Sequence, residues 1–169
     1  ERPKIHGSWK EIIGKAEELL EDALTTVKEI SNKLSPHLLT NYGLTVALQR
    51  YFEQIMKTCD LRITFESNID RRFIMEIEST LYRGMIECLN NTIKHAGAKT
   101  VAIRMVYTGD QIHIQYLDDG IGFNLDETLA TKRGLGLFNL QNRIQNIGGK
   151  IDMFSKPEHG VNYQMIVPV

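Results

Sequence analysis

The residues best equipped for chemistry lie close together in Gly84-Met-Ile-Glu87-Cys-Leu-Asn-Asn91-Thr-Ile-Lys94-His95-Ala96. If this stretch is helical, at roughly 100° per residue, Glu87, Asn91 and Lys94 share one narrow stripe, with Thr80 and Gly84 on the same stripe one and two turns earlier. A carboxylate, an amide and an ammonium then stack along a ridge that small side chains leave accessible. An Asn oxygen is a hard ligand suited to Mg²⁺, which keeps most of its waters and also takes phosphate oxygens. A carboxylate one turn earlier can order a water or accept a proton from an attacking group. Lys94 offers a point charge for phosphate, and His95 either bonds phosphate or serves the helix C-terminus electrostatically. A solvated polar face would look similar. Against that, Gly84 costs a helix interior roughly 1 kcal/mol relative to Ala, and so calls for close approach of a ligand or a neighbouring element. Asn90-Asn91 is also a poor choice for a merely solvated helix.

Two glycine-punctuated segments follow. Asp118-Asp-Gly120-Ile-Gly122 comes directly after an alternating stretch. Glycines there let the backbone approach a planar ligand while the carboxylate reaches its hydrogen-bonding edge, although Asp-Gly is also the commonest turn pair. Gly134-Leu-Gly136-Leu then opens a helical pattern, where free N–H groups and the dipole suit phosphate. The polar segment 124–133 between them ends in Lys132-Arg133, the composition of a loop that closes over an anion.

The elements that must position these groups are legible from periodicity. Ile13, Ala16, Leu20, Ala23, Val27, Ile30 and Leu34 keep a 3.5-residue repeat, the mark of a helix packed lengthwise on other helices, and Ser35-Pro36 ends it. Helices are expected at about 42–57, 72–95 and 135–147, the second burying Ile74, Ile77, Leu81, Met85, Cys88 and Leu89. Strands are expected at 61–65, 99–107, 111–117, 150–154 and 162–167, with a hairpin turn at Thr108-Gly109-Asp110 and no periodicity in 124–133. Long helices interleaved with strands and an antiparallel hairpin indicate an α/β fold, a two-layer sandwich with a mixed sheet preceded by a long dimerisation-type helix. The expected organisation is 1–9 tag-like or linker-like, 10–36 a remnant of the dimerisation helix, and 37–169 the catalytic unit.

Composition narrows the class. The 169 residues carry 20 Lys+Arg against 21 Asp+Glu, which removes the electrostatic case for a generic nucleic-acid binder. No apolar run approaches the roughly 18 residues a membrane span needs, and no leader-like segment opens the sequence. Cys59 and Cys88 show no metal spacing and fit a reduced, cytoplasmic setting.

Together, Glu-x-x-x-Asn-x-x-Lys-His-Ala, Asp-x-Gly-x-Gly and Gly-x-Gly-Leu resemble the N, G1 and G2 boxes of the GHKL ATPase superfamily of histidine kinases, gyrase, MutL and related chaperones. Glu87 to Ala98 and Gly134-Leu-Gly-Leu-Phe-Asn-Leu-Gln-Asn-Arg143-Ile look most like sensor histidine kinases of the nitrate/nitrite-sensor type. The resemblance covers about residues 16–169. It implies a Bergerat fold that binds ATP with Mg²⁺. Asp118 would bind the adenine amino group, with Gly120 and Gly122 shaping the adenine pocket. Asn91 would hold Mg²⁺, Glu87 would be the catalytic carboxylate, and Lys94 would lie near the phosphates. Gly134 and Gly136 would form the lid's hinge and phosphate edge. It also implies a response regulator as partner and a homodimer through the N-terminal helix. The alternatives are a nucleotide-dependent interaction module and an anti-sigma-type serine kinase on the same fold, and the heptad helix favours the histidine kinase.

Two departures stand out. Family members commonly carry Gly-Thr before the last strand, whereas this sequence has Gly160-Val161, so a hydroxyl near adenine is missing. None of His6, His37, His95, His113 and His159 is followed by Asp or Glu, as the family's phosphorylated histidine is. The acceptor is therefore expected outside this chain.

A lone heptad helix exposes an apolar seam, so the chain should self-associate. Ala23→Glu with Val27→Glu should shift it to monomer in sedimentation velocity; a monomeric unmutated chain at high concentration would refute the expectation.

Overall fold

The computed structural model describes residues 36–129 and 135–169; the heptad helix, residues 1–9 and Lys132-Arg133-Gly134 lie outside the described residues. The chain divides into two compact units, Glu1–His37 and Leu38–Val169, and the description below concerns the second.

Five strands form one sheet in the order β1-β2-β3-β5-β4, with β1 (Arg62–Ser67), β2 (Thr100–Tyr107), β3 (Gln111–Asp118), β4 (Lys150–Ser155) and β5 (Val161–Pro168). Only β1 and β2 pair in parallel, and helix α2 (Met75–Asn91) makes the crossover between them. The other pairs are antiparallel. Alternation decides the layers. Val101, Ile103, Met105, Ile112, Ile114 and Tyr116 are buried, while Ala102 and Arg104 between them face water. Helices therefore cover one face and leave the other open, the expected two-layer sandwich with a mixed sheet. The expected strands all form, within one or two residues of the expected bounds.

Four differences have physical reasons. Helix α1 (Pro36–Thr58) starts at Pro36 rather than near Tyr42, because proline is as well suited to a helix's first turn as it is unsuited to its interior. The helix is broken at Gly43, whose φ of 79° needs glycine. Segment 124–133, expected to be aperiodic, holds a short helix α3 (Leu125–Leu129) started by Asn124, whose side-chain oxygen accepts from the Glu127 N–H and whose carbonyl accepts from the Thr128 N–H. Ile74, placed in the core by its spacing, is 65 % exposed because it precedes the first turn of α2.

The Gly43 break is held by one side chain. The Arg72 guanidinium makes a two-pronged bond to buried Glu78 (Nε–Oε1 2.8 Å, Nη2–Oε2 2.8 Å) and donates to the Thr40 and Leu39 carbonyls at 2.9 and 3.2 Å. These are orphan carbonyls of the segment before the break. A Cβ at Gly43 would sit 2.9 Å from the Arg72 Cδ, so the clamp lies where a side chain at position 43 would crowd it. The Phe73 N–H also donates to Glu78.

Arg72→Met should strand the Glu78 carboxylate. Because the Arg72 side chain is 47 % exposed and Glu78 is 0 %, the loss of stability should be measurable but below that of a fully enclosed pair. Arg72→Met with Glu78→Met should recover much of the loss in urea denaturation; equal stability of Arg72→Met and the parent would contradict this.

Candidate nucleotide-binding site

Helix α2 does not end at Asn91 but runs into a π turn, Thr92–Ala96, closed by Gly97 in the left-handed conformation. A π turn winds each residue through a smaller angle than an α-helix. That rotates Lys94 off the stripe drawn for a regular helix and brings His95 round to it. His95 accordingly lines a cavity of about 660 Å³, together with Glu87 and Asn91, while Lys94 is exposed and away from the lining.

The cavity's second wall is the end of β3 and the loop after it. Asp118, 8 % exposed, lines it. Its Oδ1 accepts from the Gly120 and Val161 N–H groups at 3.0 and 3.2 Å, and its Oδ2 from the Thr92 hydroxyl at 2.6 Å. Thr92 Oγ1 also lies 2.7 Å from the Tyr116 hydroxyl. Burial, the largest cause, pushes the Tyr116 phenol above its ordinary range, so it stays a donor. Tyr116 stacks on Tyr163, its register partner on β5, and Tyr163 also lines the cavity. Asp119 faces the other way: it accepts from the Lys99 and Thr100 N–H groups and from the Thr100 hydroxyl. Those bonds, the Thr100 N–H foremost, hold its carboxyl below the usual range. Asp119 thus ties β3 to the start of β2 and leaves the cavity to Asp118.

The glycines differ in what they permit. Gly120 packs against the end of the π turn, where a Cβ would meet Ala96 Cβ at 2.5 Å, and the next N–H, Ile121, donates to the Ala96 carbonyl at 2.8 Å. Gly122 has φ 58°, and a Cβ there would fall on the Lys156 carbonyl oxygen, so the loop must pass flush against the β4–β5 turn. Ser155 locks that contact, accepting from the Phe123 N–H and donating to the Gly160 carbonyl, both at 2.9 Å. Helix α4 (Leu135–Asn146) closes the third side. A Cβ on its Gly136 would lie 2.7 Å from Glu87 Oε1 and 3.8 Å from Asn91 Nδ2, which brings the second glycine segment onto the chemical stripe of α2. The Gly84 question resolves towards a neighbouring element, since a Cβ there would meet Leu140 of α4 at 3.2 Å.

Glu87, Asn91, His95, Asp118, Gly122 and Gly136 therefore meet at one cavity, with Gly120 buried behind it. Lys132, Arg133 and Gly134 lie outside the described residues. Thr92, Tyr116 and Tyr163 were not singled out by spacing; the only signal in the sequence was a hydroxyl one residue after Asn91. Among the described residues no cluster of three or more His, Cys, Asp or Glu side chains could hold a metal by itself. No helix among them is long and apolar enough to cross a membrane.

A two-layer sandwich with this cavity between its second helix and a carboxylate at a strand end defines a nucleotide-binding ATPase domain. Residues 76–169 match the profile of the histidine kinase-, DNA gyrase B- and HSP90-like ATPases, and the chain belongs to that family, carrying the ATP-binding domain of the histidine kinases. Among curated relatives, the oxygen sensor histidine kinase NreB of Staphylococcus carnosus is 30 % identical over 171 residues, covering 100 % of this chain and 48 % of NreB. The chain thus spans about half the length of that relative. The fold is shared with the histidine kinase domain of the Erythrobacter litoralis EL346 blue-light activated histidine kinase, at TM-score 0.62 and 18 % identity over 74 % of this chain and 60 % of that one. It is shared too with the Acinetobacter baumannii histidine kinase AdeS, at TM-score 0.60 and 15 % identity over 90 % and 83 %.

Cys88 lines the cavity but is no nucleophile, because burial drives its thiol well above the ordinary range. Iodoacetamide at pH 8 should label partly exposed Cys59 alone in the native chain and both thiols after denaturation, read by intact mass. Native labelling of Cys88 at the rate of Cys59 would contradict the burial.

Proposed function

We propose that this chain is the catalytic part of a two-component sensor histidine kinase, of the nitrate/nitrite-sensor type. It would transfer the γ-phosphoryl of ATP to a histidine on a dimerisation helix, none of the five histidines of this sequence standing before an acidic residue. The observation that carries the proposal is the meeting of a buried, cavity-lining Asp118 with Glu87, Asn91 and Gly136 around one open-mouthed cavity. At about 660 Å³ that volume is the size of a nucleotide-sized ligand site.

Asp118 accepts the amino group of the base. The Asn91 side-chain oxygen, with phosphate oxygens and water completing the shell, suits Mg²⁺ held chiefly by the nucleotide, so the donor set fits although the protein offers few ligands. The ion when bound would neutralise charge on the β- and γ-phosphates. Glu87 accepts the N–H proton of the incoming imidazole, so that its nitrogen bonds to the γ-phosphorus as the bond to the bridging oxygen breaks and ADP leaves. His95 supplies a hydrogen-bond donor for the phosphates, Lys132 and Arg133 would add positive charge, and Lys94, exposed and away from the lining, adds only to the positive field around them. Gly136 leaves α4 close to Glu87 and Asn91, where the phosphates would lie. The phosphohistidine then serves a response regulator, and the N-terminal helix joins two copies.

The test separates binding from chemistry. With ATP and Mg²⁺, the chain should phosphorylate a supplied two-helix fragment bearing a His-acid motif without labelling itself. Asp118→Asn should lose nucleotide binding by calorimetry, and Glu87→Gln should bind normally but transfer at least about a hundredfold more slowly. Tight ATP binding with no transfer to any matching fragment would favour an interaction module. Acid-labile self-labelling abolished by His6→Gln would place the acceptor in this chain.

A further inference from the structure

We propose that Thr92 is a specificity-determining positioning residue of the nucleotide site. Its hydroxyl fixes the Asp118 carboxylate as a reader of an exocyclic amino group, a task for which the residue at position 161 offers no side-chain hydroxyl. The inference rests on the ATP-site reading above and deepens it.

Thr92 is 2 % exposed and bonds across the core rather than back to its own helix. A hydroxyl has one proton to give, and a carboxylate can only accept. The Thr92 proton therefore goes to Asp118 Oδ2, and the Tyr116 phenol, kept protonated by its burial, donates to Thr92 Oγ1. Protons run one way along the chain Tyr116, Thr92, Asp118. Oδ1 is already engaged by the Gly120 and Val161 N–H groups. The carboxylate is thus held at both oxygens, and what it offers a ligand on the cavity side is acceptor capacity. That favours a 6-amino purine and disfavours a 6-keto purine, whose oxygen would meet the carboxylate without an intervening proton. Thr92 opens the π turn at the end of α2, and from there its hydroxyl reaches the end of β3. Val161 contributes only its backbone N–H, so the hydroxyl comes from the helix wall rather than from the last strand.

Calorimetry with ADP and with GDP, each with Mg²⁺, tests this on the whole chain. The parent should bind ADP well and GDP weakly. Thr92→Val should weaken ADP by about tenfold or more while changing GDP much less, because a bond to a charged acceptor is lost. Thr92→Ser should restore the parent's ADP:GDP ratio, and adding Val161→Thr to Thr92→Val should restore part of it. Neither rescue would follow if Thr92 only filled space. If Thr92→Val does not fold, Thr92→Val with Tyr116→Phe removes the orphaned phenol and should show the same narrowed ratio. An unchanged ADP:GDP ratio in Thr92→Val or in that double variant would overturn the role of Thr92 and leave the ATP site standing. A parent chain that binds neither nucleotide would overturn the ATP-site reading itself.

Discussion

A carboxylate that loses water must regain its hydrogen bonds from the protein, or its burial is prohibitively costly. Asp118 sits at the end of a central strand and 8 % exposed, and it meets that requirement through partners from three separate elements. The Gly120 N–H comes from its own loop, the Val161 N–H from the start of β5, and the Thr92 hydroxyl from the end of the second helix. Satisfying one side chain in this way fixes where a strand end, a neighbouring strand and a helix terminus must stand relative to one another. The cavity is the space they leave.

Much of the surrounding geometry follows from keeping those partners together. The β3–β5 pairing runs the full length of β3, from Gln111 opposite Pro168 to Asp118 opposite Val161, so the Val161 N–H arrives in register. The π turn brings the end of α2 to the sheet, and Gly120 lets the loop lie against Ala96 where a side chain would collide. Gly136 does the same for α4 against Glu87, and Gly84 for Leu140, so the helix that closes the cavity is seated by the absence of two side chains. At the far end, Arg72 and Glu78 hold the break in α1 where the chain enters this unit.

The sequence carried the sheet because its strands alternate, and strands with one buried face can alternate in only one register. It carried the chemical stripe because Glu87 and Asn91 are one helical turn apart, whereas the choice of Asp118 over Asp119 came from the family resemblance and not from spacing. It could not show that Lys94 leaves the stripe while His95 joins it, since a π turn has no periodicity signal within five residues. Nor could it show Thr92, whose partners lie 24 and 26 residues away, or the Arg72 clamp, which reaches 32 residues back to Thr40. Local pattern determines elements. Contacts between elements, which set the detail of the site, depend on how the elements pack.

The central claim is that Asp118, held by fixed donors, reads the base of a nucleotide lying across α2. A crystal structure of the chain with a non-hydrolysable ATP analogue and Mg²⁺ tests it most directly. The account predicts the adenine amino group within hydrogen-bond distance of the Asp118 carboxylate, Thr92 still bonded to Oδ2, and the phosphates towards Asn91 and Gly136. A nucleotide bound with its base away from Asp118, or with the Thr92–Asp118 bond broken to admit it, would contradict the account.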